Sequence, residues 1–313
     1  MANSNLNTAR KNKDDEFYTQ LKDIEDELQH YTEFFKGKTI YLNCDNPKKS
    51  KFWEYFHTNF NKLKLKRLLA TYYKEEGDSS LFDYKGGDDE NVSVWKETQF
   101  LGNGDFRSDE CINILKKSDI VITNPPFSLF RELIDLLVEY KKSFIIVGNQ
   151  NSITHKNIFP LIKNNELWLG HNKGAKWFEV PEEGYGDRAK NLKIINNKKH
   201  IQVQGICWYT NIDTKKRHKN IELIKNYYKN ESFYPKYDNY NAIEVSKVVD
   251  IPKDYDGIMG VPITFMYSYN PNQFEVVGCS YKYGRPDEWD ENTKMSPSVN
   301  GKNIYKRIFI KKK

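Results

Sequence analysis

The sequence predicts an α/β protein built on a mostly parallel sheet with helices on both faces, and two observations carry that prediction. Between residues 19 and 149, apolar runs of strand length alternate with amphipathic runs of helix length. Beyond residue 165 the alternation decays into a part rich in Tyr, Asn, Pro and Lys. The core sheet is therefore expected to end near Asp213, dividing the chain into residues 1–213 and 214–313.

The elements follow in order. Leu21, Ile24, Leu28, Tyr31 and Phe34 recur at helical spacing, and Gly37 supplies the stop. "KTIYLNCDNP" reads as a first strand, "KSKFWEYFHTNFNKL" as a helix and "KRLLATYY" as a second strand. The acidic, Gly-containing "EEGDSSLFDYKGGDDE" reads as a loop, and "WKETQFLGNGDF" as a third strand ending at Asp105. A short helix, "SDECINILKK", precedes the fourth strand, "DIVIT", and the helix "SLFRELIDLLVEYKK" leads to a fifth, "SFIIVGNQ". Further on, "HIQVQGICWYTNI" is strand-like, and "GIMGVPITFMYSYNPNQFEVVG" reads as two strands joined by a turn at Asn270 to Asn272.

Composition narrows the class. Of 313 residues, 38% are hydrophobic and 14% aromatic, enough for a sizeable core. No apolar stretch approaches the roughly 18 residues of a membrane span, and the polar first residues lack the apolar segment of a secretory signal, so a soluble, cytoplasmic protein is expected. Cys44, Cys111, Cys207 and Cys279 and the six histidines are scattered without metal-ligand spacing, and no metal site is expected. The net charge is +6, with basic residues concentrated between Arg188 and Lys229, where Asp213 and Glu222 are the only acids, and again in the last twelve residues. Trp177, Trp208, Tyr209, Tyr227 and Tyr228 lie in or beside the first of these stretches. That mixture suits a phosphate backbone and exposed bases. Lys215, Lys216, Arg217 and Lys219 are the candidate phosphate contacts; taken alone, such a run is also what a solvated surface looks like.

The densest chemical signal is "NPPF", Asn124 to Phe127, at the carboxyl end of the fourth strand. Ligands of open α/β sheets bind at that edge. Pro125 and Pro126 have no N–H and a fixed φ, so they stiffen the loop and allow the carbonyls of Asn124 and Pro125 to face a ligand. Asn124 adds a side-chain carbonyl, and Phe127 an aromatic face. Two acceptors and one ring face match an exocyclic amine on a heterocycle, above all N6 of adenine. With both N6 hydrogens held, the nitrogen moves toward sp³ geometry and its lone pair faces an electrophile, so no general base is obligatory. A proline-containing strand-to-helix loop without chemistry is the competing explanation of these four residues.

With these residues the chain resembles the S-adenosylmethionine-dependent amino-methyltransferases, whose catalytic motif is Asp/Asn/Ser-Pro-Pro-Tyr/Phe. More closely it is similar to the EcoRI-type adenine-specific DNA methyltransferases. The resemblance rests on "DEFYTQ", "IYLNCDNP", "GNGDFRS", "KKSDIVITNPPFSLFRE", "NSIT", "LWLG", "YPKYDNY", "GVPITF" and "NPNQFEVVG", colinear from residue 14 to about 278. It implies a Rossmann-like methyltransferase core over 1–213, a DNA-contacting insertion over 171–200 and a target-recognition region over 214–313. The implied reaction moves a methyl group from S-adenosylmethionine to N6 of a flipped-out adenine in double-stranded DNA, since N6 inside the stack cannot reach a buried donor. The setting would be restriction-modification, by a monomer acting separately from any cognate endonuclease.

The catalytic motif carries over onto Asn124, Pro125, Pro126 and Phe127. "EFYTQ" points to Phe17, Tyr18 and Thr19 as cofactor-lining. Asp45 is placed to take the cofactor's ammonium side, Asp105 to accept from its adenine amine and Phe106 to pack on that adenine. The chain departs from most methyltransferases of this fold in having no glycine in "NCDNPKKS" and no acidic residue ending the second strand. Glu75 or Tyr72 is the candidate for the ribose. Other readings are RNA or a protein glutamine as substrate, or a non-catalytic nucleic-acid-binding protein on a methyltransferase-like core. A nuclease built on Asp238 and "EVSK" is disfavoured, because Glu244 and Lys247 would face opposite sides of a strand.

Overall fold

The computed structural model describes residues 19–87, 95–100, 102–180, 192–281, 284–286 and 296–313. The chain forms two compact units, Met1–Asn149 with Gly170–Ile212, and Gln150–Leu169 with Asp213–Lys313. Among the described residues no helix is long and apolar enough to cross a membrane.

The first unit is organised by β1 (Thr39–Leu42), β2 (Arg67–Ala70), β5 (Ile120–Thr123) and β6 (Ser143–Asn149), in parallel and in the order β2-β1-β5-β6. Every residue of β1 and β5 is buried. Parallel strands covered on both faces are near-continuous apolar runs for that reason. Two antiparallel strands, β3 (Ser80–Tyr84) and β4 (Lys96–Gln99), extend the sheet beyond β2. On the other side β9 (Lys198–Thr210) pairs antiparallel with β6, then β7 (Trp168–Glu179) closes the order β6-β9-β7, and β8 (Leu192–Ile195) pairs with β9.

The helices sit where their apolar stripes require. α1 (Leu21–Leu28) buries Ile24 and Leu28, continues through a 3-10 turn at 29–31 and ends in α2 (Thr32–Phe35). α3 (Lys51–Thr58) buries Phe52, Trp53, Tyr55 and Phe56; its N-cap Ser50 accepts from the N–H groups of Phe52 and Trp53 at 3.1 and 3.4 Å. α4 (Asp109–Lys117) is capped by Ser108 and carries Asp109 and Glu110 in its first turn and Lys116 and Lys117 in its last, matching the helix dipole at both ends. α5 (Phe130–Glu139) buries Phe130, Leu133, Ile134 and Leu137.

Two expectations change. The acidic stretch expected as a loop contains β3, whose burial alternates along Ser80, Phe82 and Tyr84, with Asp83 turned out to a two-pronged bond from Arg67 at 2.7 and 2.8 Å. The strand expected to end at Asp105 ends at Gln99 and is exposed throughout. The β2-β3-β4 run is therefore an antiparallel meander in place of a parallel crossover.

In the second unit, β10 (Ile243–Glu244), β11 (Met259–Pro262), β15 (Arg307–Lys312) and β12 (Phe274–Cys279) form a four-stranded sheet in that order. The two strands expected around 259–278 are present, but each pairs antiparallel with β15 between them. β15 belongs to the lysine-rich C-terminus, yet Ile308, Phe309 and Ile310 are fully buried. This unit also contains α6 (Phe159–Lys163) and the hairpin of β13 (Ser298–Val299) and β14 (Lys302–Asn303). The turn of that hairpin is fixed by the Asp238 carboxylate, which accepts from the N–H groups of Asn300 and Gly301 at 3.0 and 2.9 Å.

Candidate active site

Parallel strands end on one edge, and three of those ends converge on a pocket of about 520 Å³ in the first unit, within the usual range for small-molecule and cofactor sites. The segment after β1 contributes Asn43, Cys44, Asp45 and Asn46; the segment after β2, Tyr72, Tyr73 and Glu75; and the segment after β5, Asn124 and Pro126. Thr19, from the chain entering α1, and the loop Gly104–Arg107 complete the wall.

Asn43 stands immediately beyond β1 and is 1% exposed. Among the described residues neither its amide oxygen nor its amide nitrogen has a hydrogen-bond partner. A buried amide left this way costs folding free energy, and a ligand able to meet it recovers that cost. In place of a glycine-rich loop, the chain next makes a turn in which the Asn46 carbonyl accepts from the N–H groups of Lys49 and Ser50, at 2.9 and 2.7 Å.

Asp45 ties this segment to the Asn-Pro-Pro-Phe loop. Its carboxylate accepts from Ser50 Oγ at 2.7 Å and from Thr123 Oγ1 at 2.6 Å, and Thr123 is the residue before Asn124. Burial pushes the Asp45 carboxyl up to about 6, against the Thr123 and Ser50 hydrogen bonds, which favour the charged form. The folded chain thus holds this proton more tightly than the unfolded chain. The resulting stability is full below the ordinary carboxyl value of 3.8 and is lost as pH rises through about 6. Asp45→Asn is expected to remove this loss, worth about 3 kcal/mol between the two limits. Urea unfolding at pH 4 and pH 7.5 checks it, and an equal pH dependence for the two proteins would count against it.

The loop carrying Asp105 is docked on the segment after β2. Gly104 has φ +77°, and a Cβ there would stand 2.3 Å from the Tyr72 carbonyl and 2.6 Å from Ser79 Oγ, so only glycine allows this approach. The Asp105 carboxylate is held by its neighbour Arg107 at 2.9 and 2.6 Å, and Arg107 also reaches Glu132 at 2.5 Å. Phe106 is buried, with the Arg107 guanidinium 5.4 Å from its ring centre.

Asn124 donates from Nδ2 to Thr19 Oγ1 at 3.1 Å. The Pro126 carbonyl is engaged by the N–H of Leu129 at 2.8 Å, closing a 3-10 turn over Phe127–Leu129. No backbone N–H among the described residues bonds to the Pro125 carbonyl. Phe127 is half-buried and packs against the main apolar core.

The structure thus gathers Thr19, Asp45, Asp105, Phe106, Asn124 and Pro126 around one pocket, together with the ribose candidates Tyr72 and Glu75. Pro125 and Phe127 belong to the same loop without lining the pocket, and Phe17 and Tyr18 lie outside the described residues. Sequence reasoning missed Asn43 and Thr123.

The basic quartet lies in the second unit: Lys215, Lys216 and Arg217 on a 3-10 turn over Lys215–His218, and Lys219 just beyond it. Lys215 and Lys219 are exposed. Arg217 differs from them: its guanidinium stacks 4.0 Å over Trp168, bonds Asn165 at 2.9 Å and lies 3.7 Å from Asp213. Glu244, weighed above as a nuclease ligand, is instead buried in an ion pair with Arg307 at 2.6 Å. Among the described residues no cluster of His, Cys, Asp or Glu could hold a metal ion.

Comparison with known proteins gives the same direction. The profile of a family described as adenine-specific methyltransferase EcoRI matches residues 5–313. The Escherichia coli type II methyltransferase M.EcoRI is 49% identical over 99% of this chain and 97% of its own length. Type II methyltransferases of Mycoplasma genitalium (M.MgeORF184P) and Mycoplasma pneumoniae (M.MpnI) are 41% and 37% identical, each over 98% of both chains. No solved structure matches. A profile match spanning nearly the whole length, on a fold that brings the Asn-Pro-Pro-Phe loop beside the pocket, means that this chain belongs to the EcoRI family of adenine-specific methyltransferases.

Proposed function

We infer that this chain is a site-specific DNA methyltransferase that methylates N6 of an adenine flipped out of the duplex, with S-adenosylmethionine as donor. The observation that carries the reading is the position of Asn124, at the carboxyl end of β5, on the wall of the same pocket as the unpartnered amide of Asn43. The pocket's chemistry fits the donor: an acid and an amide after β1 for its amino-acid end, Tyr72 or Glu75 for the ribose, and Asp105 and Phe106 for its adenine. When bound, S-adenosylmethionine supplies an electrophilic methyl group. Asn124 and the Pro125 carbonyl accept the two N6 hydrogens and turn the nitrogen lone pair toward that group. Phe127 offers its ring to the base. The methyl–sulfur bond would break as the nitrogen–methyl bond forms, and the N6 proton would then pass to water.

The relatives' type II description comes to this chain as a proposal: modification of a defined site, by a monomer, separately from a companion endonuclease. The test is transfer of labelled methyl groups to DNA of known sequence, with the modified positions mapped and RNA as control. Label at adenine N6 of one recurring site is the expected result, and label confined to RNA or protein would overturn it.

The second unit is proposed as the target-recognition region, with Lys215, Lys216 and Lys219 on phosphates and Arg217 holding their turn in place. Replacing the three lysines by Gln is expected to weaken binding to every DNA sequence about equally. Every lysine that neutralises a phosphate should, when replaced, lower the slope of log affinity against log salt by about 0.9. A salt titration with an unchanged slope would remove the lysines from the interface.

A further inference from the structure

β9, at 13 residues, is longer than β6, at 7, one of the strands it pairs with. Its register against β6 runs from Thr210 opposite Ile145 to Ile206 opposite Asn149, the last residue of β6. Since β6 is parallel to β5, Asn149 lies on the edge where Asn124 follows β5. Residues 198–205 therefore run past that edge, and at roughly 3.3 Å per residue they span about 26 Å. Gly205, at the point of departure, has φ +68°, a conformation that re-aims a strand as a bulge does. β8 folds back on this overhang through Asn196 and Asn197, whose φ values of +50° and +60° mark a two-residue type I′ turn.

The overhang and Asn124 share a mount. The buried Glu27 carboxylate of α1 accepts from the N–H groups of His171 and Asn172 in β7 at 2.8 and 2.7 Å. One turn earlier in α1, Asp23 pairs with Lys176 at 2.5 Å. The same helix is entered from Thr19, the partner of the Asn124 amide.

The hairpin's chemistry is that of a nucleic-acid reader. From residue 192 to 203 it carries Lys193, Lys198 and Lys199 and no acid, while His200 is buried with Nδ1 3.0 Å from the Lys198 carbonyl. Lys193 lies 3.8 Å over the Trp177 ring, and Lys198, although paired with Glu179, keeps 58% of its side chain exposed. Asn196 and Asn197 are exposed at the tip, and Ile194 is 69% exposed on the face that also carries its cross-strand neighbour Lys199. β7 flanks the other edge of β9, and the Val180 N–H bonds the Lys199 carbonyl at 3.0 Å, so the turn at 196–197 is the leading end of a three-stranded arm. In a major groove about 12 Å wide, an Asn amide at such a tip pairs with N6 and N7 of a stacked adenine, and an apolar side chain meets a thymine methyl.

We propose that the β8–β9 hairpin enters the major groove of the substrate duplex beside the flipped adenine, with Asn196 and Asn197 reading stacked bases and Lys198 and Lys199 on phosphates. The proposal rests on the DNA methyltransferase reading and adds a sequence-reading element to the catalytic unit itself.

Two variants test it. Asn196→Gly/Asn197→Gly keeps the positive φ of the turn and removes both amides; Lys198→Gln/Lys199→Gln removes two charges from the surface. Both should bind S-adenosylmethionine, measured by calorimetry, as the wild type does, which establishes that the first unit is folded. The glycine variant should weaken binding to the methylated site's duplex by about tenfold or more while leaving binding to unrelated duplex nearly unchanged. The glutamine variant should lower the salt slope by about 1.8. An unchanged preference and an unchanged slope, in a protein whose wild type methylates DNA, overturn the hairpin proposal alone. A wild type that transfers no methyl group to DNA overturns the underlying reading.

Discussion

Asn124→Ala is expected to lower turnover by about 10³-fold or more while leaving S-adenosylmethionine affinity within about twofold. In the proposed mechanism the amide acts on the N6 hydrogens only as the nitrogen changes geometry, so its loss falls on the transition state. The cofactor contacts proposed for Asn43, Asp45 and Asp105 are untouched. Part of the effect is positional, because the Asn124 amide is also held by Thr19. Thr19→Val, which deletes that acceptor and keeps the shape, should give a smaller loss in kcat of the same kind. Single-turnover methyl transfer alongside cofactor calorimetry separates the two quantities. Turnover of Asn124→Ala near that of the wild type would refute the assignment of Asn124.

Arg307→Ala is expected to destabilise the second unit by about 3–5 kcal/mol. Arg307, at the start of β15, reaches Glu244 on β10, with Nε 3.0 and 3.1 Å from the two carboxylate oxygens and one terminal nitrogen at 2.6 Å. Tyr237 donates its hydroxyl to the same carboxylate. The two side chains are 13% and 5% exposed, so removing the guanidinium leaves a buried carboxylate without its counter-charge, with the hydroxyls of Tyr237 and Ser246 as its remaining donors. Most of the cost is that orphaned charge, and the double variant Arg307→Met/Glu244→Gln should therefore be more stable than Arg307→Ala. Denaturant unfolding together with amide exchange in β10 and β15 measures both. A loss below about 1 kcal/mol for Arg307→Ala would show that solvent reaches the pair.

The parts of this molecule that were legible in its sequence are those where one period dominates. β1, β5 and β6 announce themselves because a strand buried on both faces is a near-continuous apolar run, and α1, α3 and α5 because their apolar residues return every three or four positions. β3 was hidden because only Ser80, Phe82 and Tyr84 face inward, within an acidic context. β15 was hidden because three buried residues are flanked by lysines and arginine. Asp105 reaches the pocket edge by another route than a parallel strand would give. Its loop is carried there by the bonds of Lys74 to Asn103 and of Ser79 to Gly102, each at 2.8 Å. Asn43 could not be separated in the sequence from the many other asparagines, since what distinguishes it is burial without a partner.

The strand order β6-β9-β7 also dictates a schedule for assembly. β9 occupies the slot between two strands that leave the ribosome before it, and the 150–169 segment synthesised between them belongs to the other unit. Until residues 198–210 emerge, the growing chain presents the edge of β6 and a long, unpaired β7. Open edges of this kind invite pairing with other chains. The last strand of the first unit therefore acts as a closing wedge, and a nascent chain stalled before residue 198 should be prone to aggregate, whereas one released after residue 212 has every strand of its large sheet.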